Sequence, residues 1–159
     1  MTFYTSYYAK INELREKYPD YKLISISGDI PDYIKNSVDG WDRRLAPNWS
    51  LFKEYKNSDN IEEREKTYIK RFKEEVLNKD INEVFNEWTK KFGLNSKFVL
   101  LCYEANDPSE STFCHRRIVA EAIENKYGIE VKELDFNYDD YKIEDYKVKL
   151  KYSIDTEEW

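Results

Sequence analysis

Glycine and proline are scarce in this chain of 159 residues, with four of each, and cysteine and histidine are scarcer still, with two and one. The lack of glycine leaves no Gly-rich phosphate loop. No Gly-x-Ser-x-Gly elbow and no His-Glu-x-x-His pair is present either. One histidine and no dense acidic cluster argue against a dedicated metal site, so no metal or other cofactor is expected. Two cysteines cannot staple a disulfide scaffold, and Cys102 and Cys114 are expected to be free thiols in a reducing compartment. No apolar run approaches membrane-spanning length. The opening "MTFYTSYYAKINELREKYPD" has no basic segment followed by an apolar one, so a secretory leader is not expected. Together these features imply a cytoplasmic protein with no membrane partner. Positive charge is also in deficit: 26 Lys and Arg stand against 32 Asp and Glu, a net charge of -6. That argues against sequence-independent nucleic-acid binding, which requires a basic surface, but leaves room for a local basic pocket.

Aromatic residues are abundant, with 14 Tyr, 8 Phe and 4 Trp. Disordered chains are poor in such side chains, so the body of the protein is expected to fold. The length suits one domain with its own core. No internal repeat, low-complexity block or linker divides it.

"TFYTSYY" is rich in β-formers and reads as a strand, and "AKINELREKY" as a short helix with Ile11 and Leu14 inward, ending at Pro19. "YKLISISGDIP" is a second strand, stopped by Gly28 and Pro31. Residues 32–47 show no clean period and read as a loop. Ile61, Glu65, Tyr68, Phe72 and Val76 recur at helical spacing behind Ser58 and Asp59 as caps. Ile81, Val84, Phe85, Trp88 and Phe92 do the same and end at Gly93, a good C-cap. "KFVLLCYE" (97–104) is a continuous apolar run, the mark of a central strand covered on both faces. A polar loop leads to a helix closed by Gly128, and "IEVKEL" (129–134) follows as a strand. Tyr146, Val148, Leu150, Tyr152 and Ile154 alternate with polar residues and suggest a late, antiparallel edge strand. The fold class is α/β: a small single domain with a mainly parallel, Rossmann-like three-layer sheet flanked by helices. Residues 1–135 form the domain, and 136–159 are a Tyr- and Asp-rich extension on it. Ligands in such folds bind beyond the carboxyl ends of the strands.

"STFCHRRIVAEAIENKYG" (111–128) puts the lone histidine beside a cysteine and two arginines at the start of a helix. Ile118, Val119, Ala122 and Ile123 define an apolar stripe at about 100° per residue. His115 falls at its centre and Cys114 and Arg116 flank it, while Arg117 points to water and can pair with Glu121. With Thr112 as N-cap, Cys114 and His115 lie among free N–H groups that favour an anion. A neighbouring Arg or the helix dipole would also lower a thiol pKa. The alternative is structural, with His115 packed under the sheet and Cys114 inert. A cation at a helix N-terminus opposes the dipole, so Arg116 requires an acidic partner or an anionic ligand.

Other residues could join this turn. Arg43 and Arg44 would meet Arg116 and clamp an anion if their loop covers the strand ends; otherwise they pair with Asp39 and Asp42 at the surface. Thr5 and Ser6 offer hydroxyls, and Tyr7 or Tyr8 offers an aromatic plane for a nucleobase. Glu104, Asp107 and Glu110 could orient His115 or offer carboxylates to a metal, though they are too sparse for a dedicated site.

"FVLLCYE" followed by "CHRRIVAEAIENKYGIEVKEL" resembles the core of the domain of unknown function 488 (DUF488) family, related to the YeaO proteins. "YTSYYAKI" and "LAPNWSLFKEYK" extend the resemblance over roughly residues 3–135. It implies a compact α/β fold with the Cys-His-Arg turn at a pocket, and no particular reaction. Carried over by position, it implies site residues Thr5, Ser6, Tyr7, Cys114, His115 and Arg116, with Arg44 and Pro47 beside them. After the second strand the chain departs from the family pattern, with Ser27, Gly28 and Asp29 in place of an arginine. The expected function is binding of a small anionic, nucleotide-like (phosphorylated) ligand, with or without a signal-sequestering role. The alternatives are a transferase or hydrolase using Cys114 and His115 on a nucleotide-like substrate, or a protein-interaction module using the tail. Oligomerisation is compatible with each.

Overall fold

The computed structural model describes residues 1–57, 59–77, 81–103 and 115–136. Its centre is a five-stranded sheet in the order β3-β2-β4-β1-β5, in which every described pairing is parallel. The strands are β1 (Thr2–Tyr7), β2 (Lys22–Ser25), β3 (Gly40–Trp41), β4 (Lys97–Cys102) and β5 (Lys132–Glu133). The helices are α1 (Ile11–Lys17), α2 (Trp49–Asn57), α3 (Ile61–Phe72), α4 (Ile81–Phe92) and α5 (His115–Tyr127). A π-helical turn, Lys73–Leu77, continues α3. None of the described helices is long and apolar enough to cross a membrane.

The apolar run of β4 lies between β2 and β1, and its side chains split between two faces. Phe98 and Leu100 join Phe3, Ile24 and Ile26 under the side chains of α3, α4 and α5. Val99 and Leu101 join Leu23 on the other face, covered by Tyr8, Ile11 and Leu14 of the β1–α1 segment and by Ile34. A strand walled by two layers needs apolar side chains at consecutive positions. This is the three-layer α/β arrangement expected, and the alternation along β1 follows from it. Phe3, Thr5 and Tyr7 share the α5 face; Tyr4 and Ser6 share the α1 face.

The helices follow their apolar periodicity. In α4, Ile81, Val84, Phe85 and Trp88 are buried, and the helix ends at Gly93, whose φ of 105° is the left-handed conformation expected of a C-cap. Gly128, with φ 65°, ends α5 in the same way. The cap of α3 is Asn60, whose Oδ1 accepts from the Glu63 N–H at 3.1 Å, not Asp59; Ser58 lies outside the described residues. The stretch 32–47 read as loop is more ordered than its pattern implied. It holds two 3-10 turns, Asp32–Ile34 and Arg43–Leu45, around the two-residue β3. Two residues are too few to display an alternation, which is why β3 leaves no sequence signal. β5 is likewise shorter than the strand read at 129–134. The late edge strand, the remainder of the 136–159 extension and the 105–112 loop lie outside the described residues.

Phe98 lies at the middle of the larger core, fully buried among the rings of Phe3 at 5.7 Å, Trp88 at 5.4 Å and Phe92 at 5.9 Å. Truncating such a ring leaves a cavity that rigid neighbours cannot fill. Phe98→Ala is expected to lower unfolding stability by about 3–5 kcal/mol in a urea titration monitored by circular dichroism.

Candidate functional site at the strand ends

The first described residue of α5, His115, is 6% exposed and reaches across to the end of β2, where its Nε2 lies 2.8 Å from the Ile26 carbonyl oxygen. A carbonyl can only accept, so Nε2 carries the proton in this contact. The ring leans on Phe72 of α3, with centroids 6.0 Å apart. His115 therefore faces the sheet at its carboxyl edge, as the helical phasing required.

Arg116 is fully buried and bound to an acid that sequence reading did not single out, Glu133 of β5. Its Nη2 donates to Glu133 Oε1 at 2.9 Å, its Nε lies 3.2 Å from both carboxylate oxygens, and its Nη1 lies 3.2 Å from Cys102 Sγ. Its guanidinium also lies 5.6 Å from the Tyr7 ring centroid, while Lys10 approaches that ring at 5.4 Å. Glu133 shares a face with Val131, one pleat before it, and an acid at a core-facing position was the available signal. The acidic partner that a cation at this helix start demands is thus built into the fold.

Arg117 corrects the phasing argument. It is 7% exposed and does not point to water; its Nη1 donates to Thr5 Oγ1 at 2.6 Å and its Nη2 to the Val131 carbonyl at 2.9 Å. Thr5 Oγ1 in turn donates to Glu133. Residues 115–123 are all buried, so α5 has no water-facing side over its first two turns. Thr5 thus serves the buried network. Ser6 is fully buried on the opposite face, and its hydroxyl finds no hydrogen-bond partner among the described residues.

The open space lies elsewhere on the same edge. A pocket of about 870 Å³ is bounded by Ser27, Gly28 and Asp29 after β2, Arg43 and Arg44, the Ala46–Trp49 segment, Tyr68, Glu75, Tyr103 and His115. It brings together His115, Arg43, Arg44 and Pro47 of the residues read from sequence; Thr5, Ser6, Tyr7 and Arg116 are not among its walls. The two adjacent arginines have different fates. Arg44 Nη2 pairs with Asp42 Oδ2 at 2.8 Å and Glu87 Oε2 at 2.7 Å. Asp42 also accepts from the Arg44 N–H at 3.1 Å and from Trp88 Nε1 at 2.9 Å. Burial alone would raise the Asp42 pKa, but the hydrogen bonds from Arg44 and Trp88 outweigh it and hold the carboxyl below its ordinary value. Arg43 instead lies over the Trp41 ring, 4.2 Å from its centroid, and has no acidic partner among the described residues. Asp39, its other expected partner, is bound to Arg15 at 2.9 Å. Trp41 is itself tied to the pocket wall, its Nε1 donating to the Ser27 carbonyl at 2.8 Å.

Beneath Ser27 is a cluster of hydroxyls on the α1 face. Tyr8 Oη hydrogen-bonds to both Ser25 and Ser27. Burial pushes the Tyr8 hydroxyl up to about 12, against the lowering effect of the two serines. Cys102 is fully buried, with its Sγ 3.2 Å from Arg116 Nη1. Cys114, Glu104, Asp107 and Glu110 lie outside the described residues. Among the described residues no three His, Cys, Asp or Glu side chains gather as a metal site would require.

Two measurements test this geometry. Glu133→Ala strands the Arg116 charge in the interior and is expected to cost about 3–5 kcal/mol in urea unfolding, whereas Arg116→Met combined with Glu133→Leu loses less. The raised folded-state pKa of Tyr8 stabilises the fold below its ordinary value of 10.0, and this contribution is lost as pH rises through about 12. Wild-type stability should therefore fall relative to Tyr8→Phe across that window, read by urea unfolding at stepped pH.

The family model DUF488-N3a, described as the active DUF488-N3 subclade, matches residues 7–127. No curated protein and no solved structure matches the chain. The match takes in the end of β1, the pocket walls and all of α5, and bears out the family resemblance. The chain belongs to the DUF488 family, in its DUF488-N3a subclade.

Proposed function

We propose that the pocket at the ends of β2 and β4 binds a small anionic, nucleotide-like phosphorylated ligand, in the manner of a binding or sequestering protein. The observation that carries this reading is Arg43, a pocket-lining guanidinium that no described carboxylate neutralises. Arginine suits bidentate contact with phosphate, and its stacking on Trp41 holds the fork in place without occupying its donors. Arg116 is not assigned this role, because Glu133 already holds it.

The rest of the pocket suits the remainder of a nucleotide. Its volume of about 870 Å³ falls within the range of small-molecule sites. Trp49 and Tyr103 are 75% and 45% exposed and offer aromatic faces for a base. Asp29, at the opposite end of the charge scale from Arg43, suits ribose hydroxyls better than phosphate.

A second reading makes the same pocket catalytic, with a transferase or hydrolase reaction on a nucleotide-like substrate. The family description's word "active" and the presence of His115 in the pocket wall favour it. It requires turnover of a bound nucleotide. Full turnover by Cys114→Ser would remove the cysteine from that chemistry.

Isothermal titration calorimetry with a panel of nucleoside mono- and diphosphates tests the binding common to both. A charge-assisted contact is worth roughly 1.5–3 kcal/mol, so Arg43→Ala should weaken the best ligand about 10- to 100-fold. Unchanged affinity in that variant, or no binding by any nucleotide of the panel, overturns the reading.

A further inference from the structure

We infer that His115 is locked in its Nε2–H tautomer and presents the Nδ1 lone pair to the pocket as its proton-accepting atom. The ligand it selects then carries an O–H or N–H beside its anionic group. This rests on the pocket reading above and adds the atom that sets its specificity.

The lock comes from the contacts of the ring and of the residues around it. The Ile26 carbonyl, 2.8 Å from Nε2, has lone pairs but no proton to give. The carbonyl cannot move to suit a different tautomer, because the Ile26 N–H is bound to the Leu101 carbonyl at 3.0 Å as an extension of the sheet. The ring cannot move away either. It leans on Phe72, and the next two residues of α5 are anchored by Glu133, Thr5 and Val131. The other tautomer, or a flipped ring, would leave a buried carbonyl facing a lone pair or a C–H, and a lost buried partner costs about 1–3 kcal/mol.

Nδ1 has no hydrogen-bond partner among the described residues, and His115 forms part of the pocket wall. In the Nε2–H tautomer the ring adds an acceptor to a pocket whose Arg43 only donates. A bare phosphate dianion satisfies Arg43 but meets the Nδ1 lone pair with another lone pair. An organic phosphate with a hydroxyl or an N–H satisfies both. If the bound group is a hydroxyl or a water, the same atom can take up its proton. The imidazolium so formed keeps its Nε2–H bond to Ile26.

The histidine is the only one in the chain, so 15N-histidine labelling yields a single ring to read. In ligand-free protein, at a pH where the ring is neutral, Nε2 should give a pyrrole-type nitrogen resonance and Nδ1 a pyridine-type one. Diethyl pyrocarbonate, which acylates a ring nitrogen only through a free lone pair, should modify Nδ1. Saturating 5′-nucleoside monophosphate should shift the Nδ1 resonance and slow the acylation. An Nδ1–H tautomer, an equal mixture of tautomers, or a ring inert to the reagent overturns the inference, as does a bound nucleotide that leaves Nδ1 unshifted. Failure of every nucleotide to bind, with the tautomer and reactivity as expected, overturns the nucleotide reading of the pocket and supports the locked acceptor.

Discussion

The ion pair between Arg116 and Glu133 is the constraint around which the carboxyl edge of this sheet is organised. Its two charges sit at 0% and 4% side-chain exposure, a setting in which neither could stand alone. Removing both from water is costly, and the geometry offsets that cost by filling the remaining hydrogen-bond positions. Glu133 also accepts from Thr5, and Arg116 also reaches Cys102 and the Tyr7 ring. Arg117 adds a second link through Thr5 and Val131. The first turn of α5 is thus fastened to β1, β4 and β5 together.

That fastening decides what the turn can offer a ligand. With Arg116 and Arg117 committed to the interior, the "CHRR" sequence is divided by purpose. The arginines hold the helix against the sheet, and His115 is aimed at the end of β2. In another segment Asp42 and Glu87 take Arg44 and leave Arg43 stacked on Trp41, with no acidic partner among the described residues. Two pairs of neighbouring arginines that look alike in sequence therefore do different work, because different partners reach each pair.

Much of the fold could be read from the residues. The run "KFVLLCYE" marked the central strand because only a strand covered on both faces needs apolar side chains in succession. The spacing in α4 and the glycines that end α4 and α5 were equally direct. What could not be read depended on long-range partners or on elements too short to show a period. β3, for example, is two residues long. Helical phasing identifies one buried stripe and so sends Arg117 to water, whereas residues 115–123 are covered all round. Glu133 is hidden in the sequence for the complementary reason. An acid inside a strand reads as a solvated residue until the arginine above it, 17 positions earlier in the chain, is placed in space. The position of His115 was legible because it follows the stripe itself; which of its nitrogens is engaged was not, since that depends on a carbonyl 89 residues away.

The brevity of β3 and β5 has a meaning of its own. Among the described residues, both flanks of the sheet are strands of two residues, Gly40–Trp41 and Lys132–Glu133. A flank of that length gives a foreign strand a footing of only a bond or two, too little to repay the entropy of aligning it. At one flank Trp41 is half-occupied by the Arg43 guanidinium, and at the other Lys132 sets an exposed charge beside the ladder. Among the described residues the longer apolar strands are thereby enclosed and the two shortest stand at the margins, an arrangement that discourages cross-β stacking.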